Sequence, residues 1–446
     1  MGGLNLSRVL IVGLGRSGLA AARLAARDGA EVWITDQRRE PEFGTSRAGL
    51  PSDFRRFFGG HPLECLEGVD LLIVSPGVAP DVEILRAARE RKVSISTEVE
   101  FAWMHAPDAP LVAVTGSNGK STVTMLTVEM LVSGGVAAVA GGNLGTAACE
   151  LVMAGGWECW VLEISSFQAE LLTRMKPSVG IFLNLSQDHL ERHPDMASYG
   201  SAKKRLFAYQ GASDVAVLNA DDDQVVGTPT AARRRLFSLE GPADAWLDGQ
   251  RLMLDGRPFV DRSDVALPGV HNIANALAAT LAAVELGARP EDAAAVLGEF
   301  AGLDHRHLTI HEADGVRWVD DSKATNVGAA LAALRGYPDG SVHLILGGQA
   351  KGQDFSTMVP EVRRAAACVY LIGIDGPTIG NAIAGTTPVV ECGTLDEAVR
   401  RARGRARSGQ WVVLAPACAS FDQFAGYHER GQAFAELARR EEAPCP

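Results

Sequence analysis

The chain alternates short apolar runs with longer segments of helical periodicity. Near the start, Arg8–Val12 and residues 31–35 are predicted strands, and the Ala-rich segment between them has helical spacing and ends near Asp28. Strands that alternate with helices form mostly parallel sheets, because the helices cover the faces of the sheet. The pattern therefore predicts an α/β fold class. Further strands are predicted at residues 69–74, 160–164, 179–183, 215–218, 316–319, 342–346, 368–372 and 411–414.

This alternation predicts three α/β domains. They are an amino-terminal Rossmann-like domain over residues 1–98, a central P-loop ATPase-like domain with a mostly parallel sheet over residues 99–302, and a carboxyl-terminal Rossmann-like domain over residues 303–446. The Pro-rich segment 106–110 is predicted to be a hinge. The basic stretch 400–407 is predicted to be a solvated helix face.

A glycine-rich turn follows the apolar run that begins at Val112 and leads into a predicted helix. Its sequence, Thr-Gly-Ser-Asn-Gly-Lys-Ser-Thr, resembles a P-loop, except that Val114 stands where the usual motif begins with glycine. In such a loop, backbone N–H groups face a phosphate, Lys120 adds a positive charge and the Ser121 hydroxyl can bind Mg²⁺. An ordinary strand-to-helix turn is the alternative. The predicted nucleotide-binding residues are Gly116, Ser117, Asn118, Gly119, Lys120, Ser121 and Thr122.

A second glycine-rich turn, at residues 13–18, follows the first predicted strand. Together with Asp36, after the second strand, it matches the dinucleotide-binding fingerprint and taken alone indicates NAD. The amino-terminal segment is, however, too short for a full dinucleotide-binding domain. It could bind half a dinucleotide, one nucleoside diphosphate, at the same turn.

Polar side chains follow two other predicted strands. Glu163 ends one strand, at the sheet edge where ligands bind, and could hold Mg²⁺ opposite Ser121; an N-cap or a solvated glutamate is the alternative. Asp188 and His189 follow another strand, where a nucleotide or metal contact competes with a structural histidine in the core.

Amide and charged groups gather at three further places. Asn272 and Asn275 are three residues apart at the start of a helix, where nucleotide recognition competes with helix capping. The loops 320–326 and 346–351 follow predicted strands and contain carboxylates, hydroxyls or lysines. Such loops often carry binding residues, and solvated surface lysines are the alternative.

Charge and composition narrow the range of partners. The 446 residues carry a formal net charge of −12, which argues against broad binding to nucleic acid or to anionic membranes. The seven cysteines are scattered without a C-x-x-C motif, as expected in a reducing cytosol. The sequence contains no uninterrupted run of about eighteen apolar residues, the length needed to span a membrane. We therefore expect a cytoplasmic protein with no nucleic-acid partner and no membrane insertion.

Taken together, the motifs resemble those of the Mur ligase family, ATP-dependent amide-forming ligases of peptidoglycan synthesis. The P-loop is typical of the wider family, and the motifs of its D-glutamate-adding member are matched along essentially the whole chain, at residues 13–18, 75–77, 142–145, 163–168, 321–326 and 416–424. The resemblance implies a first domain that binds a UDP-sugar, a second that binds ATP and a third that binds the amino acid. It replaces NAD by UDP at the first glycine-rich turn.

The resemblance also implies roles for individual residues. The UDP-sugar would be contacted by Ser17, Asp36, Gln37, Arg38, Gly77 and Asn143, with further substrate contacts from Ser165 and Gln168. ATP would be held by the P-loop and by Asn272, Asn275, Arg306 and Asp321. Glutamate would be received by Lys323, Thr325, Lys351, Ser420 and Tyr427. The implied catalytic residues are Lys120, Glu163, His189 and Lys203, and the implied ligands of two Mg²⁺ sites are Ser121, Glu163, His189 and Lys203.

Lys203 lies after the Asp-His pair, where the family carries a lysine carbamylated by CO₂. A carbamate would supply two hard oxygens to Mg²⁺, which an ammonium group cannot do. A solvated helix lysine is the alternative, since Lys204 and Arg205 follow directly.

The implied activity is the addition of D-glutamate to UDP-N-acetylmuramoyl-L-alanine, through an acyl phosphate, by a monomeric enzyme. Two alternatives stay open. One is another ligase of the Mur or folylpolyglutamate type with a different amino acid or acceptor. The other is a non-catalytic, nucleotide-sensing P-loop protein.

Overall fold

The computed structural model describes residues 4–39, 54–106, 108–190 and 192–440. Its strands form three sheets, which confirms the predicted α/β fold class. The chain divides into two compact units. The first unit consists of Met1–Asn184, Ala197–Arg262 and Asn275–Leu297, and the second of Leu185–Met196, Ser263–Ala274 and Gly298–Pro446. Pro107, in the predicted hinge, lies outside the described residues.

The amino-terminal sheet, in the first unit, has five described strands that pair in parallel. Its elements are β1 (Arg8–Val12), α1 (Arg16–Arg27), β2 (Glu31–Asp36), β3 (Arg55–Phe58), β4 (Leu71–Val74), α2 (Glu83–Glu90), β5 (Ser94–Thr97) and α3 (Glu98–Met104). The strand order is β3-β2-β1-β4-β5, so the order reverses between β1 and β4. Because connections diverge there, a crevice opens at the carboxyl ends of these strands.

The central sheet, also in the first unit, has nine described strands. The elements of this part of the chain are β6 (Leu111–Thr115), α4 (Lys120–Ser133), β7 (Ala138–Gly142), α5 (Ala148–Ala154), β8 (Cys159–Glu163), α6 (Ser166–Ala169), β9 (Val179–Phe182), α7 (Met196–Lys204), β10 (Val215–Asn219), α8 (Asp223–Val226), β11 (Arg233–Ser238), β12 (Ala245–Asp248), β13 (Arg251–Leu254), β14 (Arg257–Asp261), α9 (Val270–Glu285) and α10 (Pro290–Glu299). The order is β14-β13-β12-β11-β10-β9-β6-β8-β7. All pairs from β7 to β12 are parallel, which confirms the prediction of a mostly parallel sheet.

Strands β12, β13 and β14 form an antiparallel extension that the sequence analysis does not include. Two-residue turns connect them, and in the second turn Asp255 and Gly256 both have positive φ, 48° and 80°. Two such residues are typical of a type I′ hairpin turn, for which Asp-Gly is a favoured sequence. The Asp-Gly pair was therefore the sequence signal for this hairpin.

The carboxyl-terminal sheet, in the second unit, has six described strands. Its elements are β15 (Leu308–Ala313), β16 (Val316–Asp320), α11 (Val327–Leu334), β17 (Val342–Gly347), α12 (Val359–Ala365), β18 (Ala366–Ile372), α13 (Gly376–Ala382), β19 (Val389–Gly393), α14 (Leu395–Arg405), β20 (Trp411–Leu414) and α15 (Tyr427–Arg439). The order is β15-β16-β20-β17-β18-β19, and only the pairing of β15 with β16 is antiparallel among these strands.

The basic stretch 400–407 lies mostly in α14 and is not simply a solvated face. The guanidinium group of Arg403 donates to the carbonyl oxygens of Leu437 (2.6 Å) and Ala438 (3.0 Å), at the end of α15. These carbonyls lie in the last turn of α15, so Arg403 joins the two helices.

Within the part of the chain that the structure describes, no helix is both long and apolar enough to cross a membrane.

Candidate active site

The predicted P-loop forms the turn between β6 and α4. Gly119 takes the left-handed conformation at the start of the helix, and a Cβ added there would lie 2.3 Å from the amide oxygen of Asn275. Only glycine fits this position. The ammonium group of Lys120 donates to the carbonyl oxygens of Gly116 (2.9 Å) and Ser117 (2.8 Å). The lysine charge and the positive end of the helix thus meet at one loop, as binding of a polyphosphate requires.

Asn184, which follows β9, braces this loop and was not singled out in the sequence. Its backbone carbonyl accepts from the N–H of Ser117 (3.0 Å), and its side-chain oxygen accepts from the N–H of Asn118 (2.9 Å). Its amide nitrogen donates to the carbonyl of Asn118 (3.1 Å). The loop is therefore held in shape by a neighbouring strand end, a relationship that only the sheet order reveals.

Glu163 ends β8 and is 3% exposed. One carboxylate oxygen accepts a hydrogen bond from the hydroxyl of Ser121, and the other accepts from the side-chain amide of Asn143 at 2.7 Å. The structure therefore brings together Ser121 and Glu163, the two residues that the sequence analysis placed opposite each other. Asn143, expected to contact the UDP-sugar, lies beside this pair.

Lys203, in α7, is 1% exposed, so the alternative of a solvated helix lysine is wrong. Its ammonium group donates to the carbonyl oxygen of Gly116 at 2.8 Å and lies 4.5 Å from the ring centroid of Tyr199. The hydroxyl of Tyr199 in turn accepts from that of Ser117 (3.3 Å). Lys203 and Tyr199 thus both contact the P-loop.

A cleft of about 700 Å³ lies at the carboxyl ends of the amino-terminal strands. At its base, Gly18 packs so tightly that an added Cβ would lie 2.1 Å from the carbonyl oxygen of Gly13. The last glycine of the fingerprint therefore permits the close approach of α1 to β1. Five of the residues predicted to contact the UDP-sugar line the cleft: Ser17, Asp36, Gln37, Arg38 and Gly77.

The carboxylate of Asp36 accepts four hydrogen bonds at this cleft. One oxygen accepts from the backbone N–H of Leu14 (2.6 Å) and from Nη2 of Arg38 (2.9 Å); the other accepts from the backbone N–H and Nε of Arg38 (2.9 and 3.0 Å). Burial raises the pKa of Asp36, but the bonds from Arg38 and Leu14 outweigh it and hold the pKa below its ordinary value. Since a carboxylate has about four lone-pair sites, Asp36 is an ionised anchor for Arg38.

In the second unit, Asp188 is 5% exposed and joins two other side chains. The amide of Asn326 donates to one of its oxygens (3.0 Å), and the ammonium group of Lys351 lies 3.3 Å from the other. The backbone N–H of His189 also donates to this carboxylate (2.9 Å), and His189 takes the left-handed conformation with φ of 55°. Asp188 is thus tied to Lys351, a predicted glutamate-binding residue.

The loop after β16 brings together residues predicted to bind ATP or glutamate. The carboxylate of Asp321 lies 3.3 Å from Nδ1 of His307. The ammonium group of Lys323 lies 4.2 Å from the ring centroid of Tyr427, the distance of a cation–π contact. Lys323 and Tyr427, both predicted to receive glutamate, are therefore neighbours.

Arg430 holds this loop in place and was missed in the sequence. Its guanidinium group, 1% exposed, donates to the hydroxyl (3.0 Å) and carbonyl (2.9 Å) of Ser322 and to the carbonyl of Cys418 (3.1 Å). Burial lowers the pKa of Arg430 to about 10, so it stays charged at neutral pH. The bonds tie the loop after β16 to the segment that carries Ser420. Most of these partners are backbone groups, which leave no trace in the sequence.

Three residues predicted to bind ligands have local structural roles. Ser165 and Gln168 form a capping box at the start of α6, with backbone-to-side-chain distances of 3.2 and 3.0 Å. The amide of Asn272 donates to the carbonyl of Pro268 (2.7 Å) at the start of α9. Their ligand contacts stay predictions, as do those of the remaining predicted site residues, Arg306, Thr325 and Ser420.

Three protein-family descriptions match the chain in order. "Mur ligase MurD-like, N-terminal domain" matches residues 7–97, "Mur ligase middle domain" residues 114–283, and "Mur ligase, glutamate ligase domain" residues 305–418. The UDP-N-acetylmuramoylalanine--D-glutamate ligase of Anaeromyxobacter dehalogenans is 41% identical, and the match covers 97% of each chain. The chain belongs to the Mur ligase family. This membership confirms the resemblance seen in the motifs and makes the chain an ATP-dependent ligase.

This Mur ligase has further relatives at lower identity. The UDP-N-acetylmuramoylalanine--D-glutamate ligase of Haemophilus influenzae is 36% identical over 97% of this chain and 98% of the relative. Among solved structures, UDP-N-acetylmuramate-alanine ligase from Thermotoga maritima matches with a TM-score of 0.62 at 17% identity, over 97% of this chain and 99% of that chain. The latter likeness concerns the fold alone.

Proposed function

We propose that this Mur ligase adds D-glutamate to UDP-N-acetylmuramoyl-L-alanine in peptidoglycan synthesis. The observation that carries the proposal is the 41% identity, over 97% of both chains, to a relative named for that activity. The geometry of the P-loop supports the chemistry, because Lys120 and the pair of Ser121 and Glu163 provide the charge and hard oxygens that phosphoryl transfer requires.

The three parts of the chain would divide the substrates among them. The proposal assigns the UDP-sugar to residues 1–98, ATP to residues 99–302 and glutamate to residues 303–446. It also takes the enzyme to be a cytoplasmic monomer without nucleic-acid or membrane partners.

The proposed reaction has two steps. A carboxylate does not react with an amine in neutral water, so the alanyl carboxylate first attacks the γ-phosphorus of ATP, which releases ADP and forms an acyl phosphate. Lys120 would stabilise negative charge on the phosphoryl group during this transfer. The neutral amine of glutamate then attacks the activated carbonyl, and the tetrahedral intermediate loses phosphate to give the amide. The amine gives up its proton to a base in this step.

The Ser121 and Glu163 side chains fit a magnesium ion. A hydroxyl and a carboxylate are hard oxygen ligands, and Mg²⁺ usually takes one or two protein oxygens together with phosphate and water. Over the described ranges, no group of three or more His, Cys, Asp or Glu side chains could hold a metal ion, so substrate oxygens would complete the coordination. A contribution of His189 to a second metal site stays a prediction. His189 belongs to the second compact unit, whereas Ser121 and Glu163 belong to the first.

Lys203 is the proposed site of carbamylation. Its burial and its place beside the P-loop support the idea, because a carbamate there would put two hard oxygens near the phosphate site. Incubation of the full chain with ¹³C-bicarbonate should give a carbamate carbon signal that is absent from Lys203→Met. A signal of unchanged intensity in that variant would assign the carbamate to another amine.

The proposed activity can be tested by phosphate release. The purified chain is incubated with ATP, UDP-N-acetylmuramoyl-L-alanine and one amino acid at a time, including both enantiomers of glutamate. We expect release that depends on both the acceptor and D-glutamate. Release with another amino acid or acceptor would favour a different ligase of the family. Nucleotide binding without release would favour a nucleotide sensor.

The proposal also requires the amino-terminal cleft to bind UDP and not NAD. The cleft holds the fingerprint turn, but Asp36, which would bind a ribose hydroxyl in an NAD site, is occupied by Arg38 and Leu14. Calorimetric titration of the full chain with UDP, the UDP-sugar and NAD should show binding of the first two. Preferential binding of NAD would remove this part of the proposal.

A further inference from the structure

His61 follows β3 and lines the amino-terminal cleft. The loop that carries it is pinned to the end of β2, because the backbone N–H groups of Gly59 and Gly60 donate to the carbonyl oxygen of Asp36 (3.1 and 3.2 Å). Its ring nitrogen Nδ1 lies 3.0 Å from the hydroxyl oxygen of Thr35, a fully buried residue of β2. The imidazole is therefore fixed at the carboxyl edge of the sheet, where ligands bind in such folds.

The hydrogen bonds of Thr35 determine which nitrogen of His61 carries the proton. The Thr35 hydroxyl lies 2.9 Å from the carbonyl oxygen of Gly60, which can only accept, so the single hydroxyl proton is donated there. The oxygen of Thr35 must then accept from Nδ1–H of His61. In a neutral imidazole, the other nitrogen, Nε2, then has a free lone pair and acts as an acceptor.

The protonation state of the ring agrees with this assignment. Burial lowers the pKa of His61, although the Asp36 carboxylate opposes the shift, so the ring is neutral near pH 7.

Two other polar groups of the cleft, Asp36 and Ser75, already have partners. The four lone-pair sites of Asp36 are used by Arg38 and Leu14, and the hydroxyl of Ser75 donates to the carbonyl of Gly13 (2.5 Å). A ligand donor that enters the cleft therefore finds no open site on the carboxylate. A neutral acceptor on a fixed ring can take that donor.

We propose that Nε2 of His61 is a specificity-determining acceptor, which receives a hydrogen bond from an uncharged N–H or O–H donor of the nucleoside in the amino-terminal cleft. This inference rests on the proposed binding of a UDP-sugar. In uridine diphosphate, the donors are the N3–H of uracil and the ribose hydroxyls. His61 thus selects a nucleoside that presents a donor at this place.

Binding of UDP to the full chain, measured by calorimetry, tests the role of His61. His61→Leu removes the acceptor and should weaken UDP binding by about 3- to 10-fold, the usual worth of one uncharged hydrogen bond. His61→Gln restores a side-chain carbonyl and should recover part of the loss. His311→Leu, on β15, is the matched control and should bind UDP like the unmodified chain.

Three analogues identify the donor. If uracil N3–H is the donor, N3-methyl-UDP binds the unmodified chain more weakly than UDP does, and His61→Leu no longer distinguishes the two. If a ribose hydroxyl is the donor, 2′-deoxy-UDP or 3′-deoxy-UDP binds the unmodified chain more weakly than UDP does, and His61→Leu no longer distinguishes that analogue from UDP. Analogue losses that are the same with and without the imidazole would overturn the proposal.

The tautomer can be read directly by NMR of the full chain with ¹⁵N-labelled histidine, since a protonated and an unprotonated ring nitrogen resonate far apart. The His61 signal, assigned by its loss in His61→Leu, should show a proton on Nδ1 with UDP bound. A proton on Nε2, or UDP binding to His61→Leu as tight as to the unmodified chain, overturns the inference. Failure of the unmodified chain to bind UDP would instead overturn the proposed function.

Discussion

The ammonium group of Lys203 donates a 2.8 Å hydrogen bond to the carbonyl oxygen of Gly116, the same oxygen that accepts from Lys120. Two cations therefore meet at one backbone oxygen of the P-loop, although they are far apart in the sequence. Like charges at this distance repel, and either an anionic phosphate or the proposed carbamate on Lys203 would relieve that repulsion. Both lysines are thus expected to matter for binding of the nucleotide.

Lys203→Met should lower turnover about 10- to 100-fold, because the variant loses the buried hydrogen bond to Gly116, worth about 1.5–3 kcal/mol from a charged donor, and with it the proposed site of the carbamate. The measurement is steady-state phosphate release, with a thermal melt to show that the variant is folded. Lys204→Met, at the next position, is the control and should change turnover little. Equal losses of turnover in both variants would show that Lys203 contributes no more to the reaction than Lys204 does.

Lys120→Ala should reduce turnover by about 10²–10³-fold or more, because a preorganised charge on the transferring phosphoryl group is lost. The melting temperature should change little, since the carbonyl oxygens to which Lys120 donates, those of Gly116 and Ser117, belong to the same loop. Lys176→Ala, which removes a surface ion pair with Asp214, controls for the loss of a lysine. A folded Lys120→Ala enzyme with near-normal turnover would refute the proposed role.

Glu98 should make the stability of the protein depend on pH. One of its oxygens accepts from the N–H of Cys149 (2.6 Å) and the other has no hydrogen-bond partner, and burial raises its pKa from 4.5 to about 7. The unfolded chain releases this proton from about pH 4.5, whereas the folded chain holds it until about pH 7. The stabilisation is therefore complete below pH 4.5 and is lost as the pH rises towards 7, by up to about 3 kcal/mol.

Glu98→Gln mimics the protonated carboxyl and should abolish this component of the pH dependence. Urea denaturation of both proteins between pH 5 and pH 8 measures it as the difference between their free energies of unfolding. Glu129→Gln changes an exposed residue of α4 and should show the same dependence of the free energy of unfolding on pH as the unmodified chain. Parallel profiles for the unmodified chain and Glu98→Gln would show that Glu98 ionises normally.

Arg430→Met should destabilise the second unit by about 2–4 kcal/mol, because it leaves buried carbonyls of Ser322 and Cys418 without a donor. The loops that carry Lys323 and Ser420 should become less ordered, and the KM for glutamate should rise more than kcat falls. Thermal melting and kinetics with varied glutamate measure the two effects. Arg439→Met, a more exposed arginine at the end of α15, is the control. Equal KM values for glutamate in Arg430→Met and Arg439→Met would show that Arg430 does not support the glutamate site.

The parts of the fold that carry a strong local pattern could be predicted from the sequence. Apolar runs such as Arg8–Val12 and β17 appear where expected, and so do the glycine-rich turns. The edge strand β3 and the hairpin of β12 to β14 were missed, because short half-exposed strands are stabilised by pairing with neighbours more than by their own composition.

For the site, the sequence predicted the chemistry of residues better than their partners. The sequence predicted that Ser121 and Glu163 face each other, because Ser121 follows one strand and Glu163 ends another at the same edge of the sheet. Asn184 and Arg430 could not be found in this way, because they act on backbone groups of segments distant in the sequence. Asp36 illustrates the same limit: its position matches a ribose ligand, whereas its neighbours turn it into an anchor for Arg38.

The saturated carboxylate of Asp36 also affects the design of inhibitors for this cleft. A compound with a donor group aimed at Asp36 would have to displace Arg38 or the N–H of Leu14, and would lose about as much as it gains. An acidic group placed near the Arg38 guanidinium would meet a cation that Asp36 already orients, so little further ordering is needed. Medicinal chemistry at this cleft should therefore start from anions placed on Arg38.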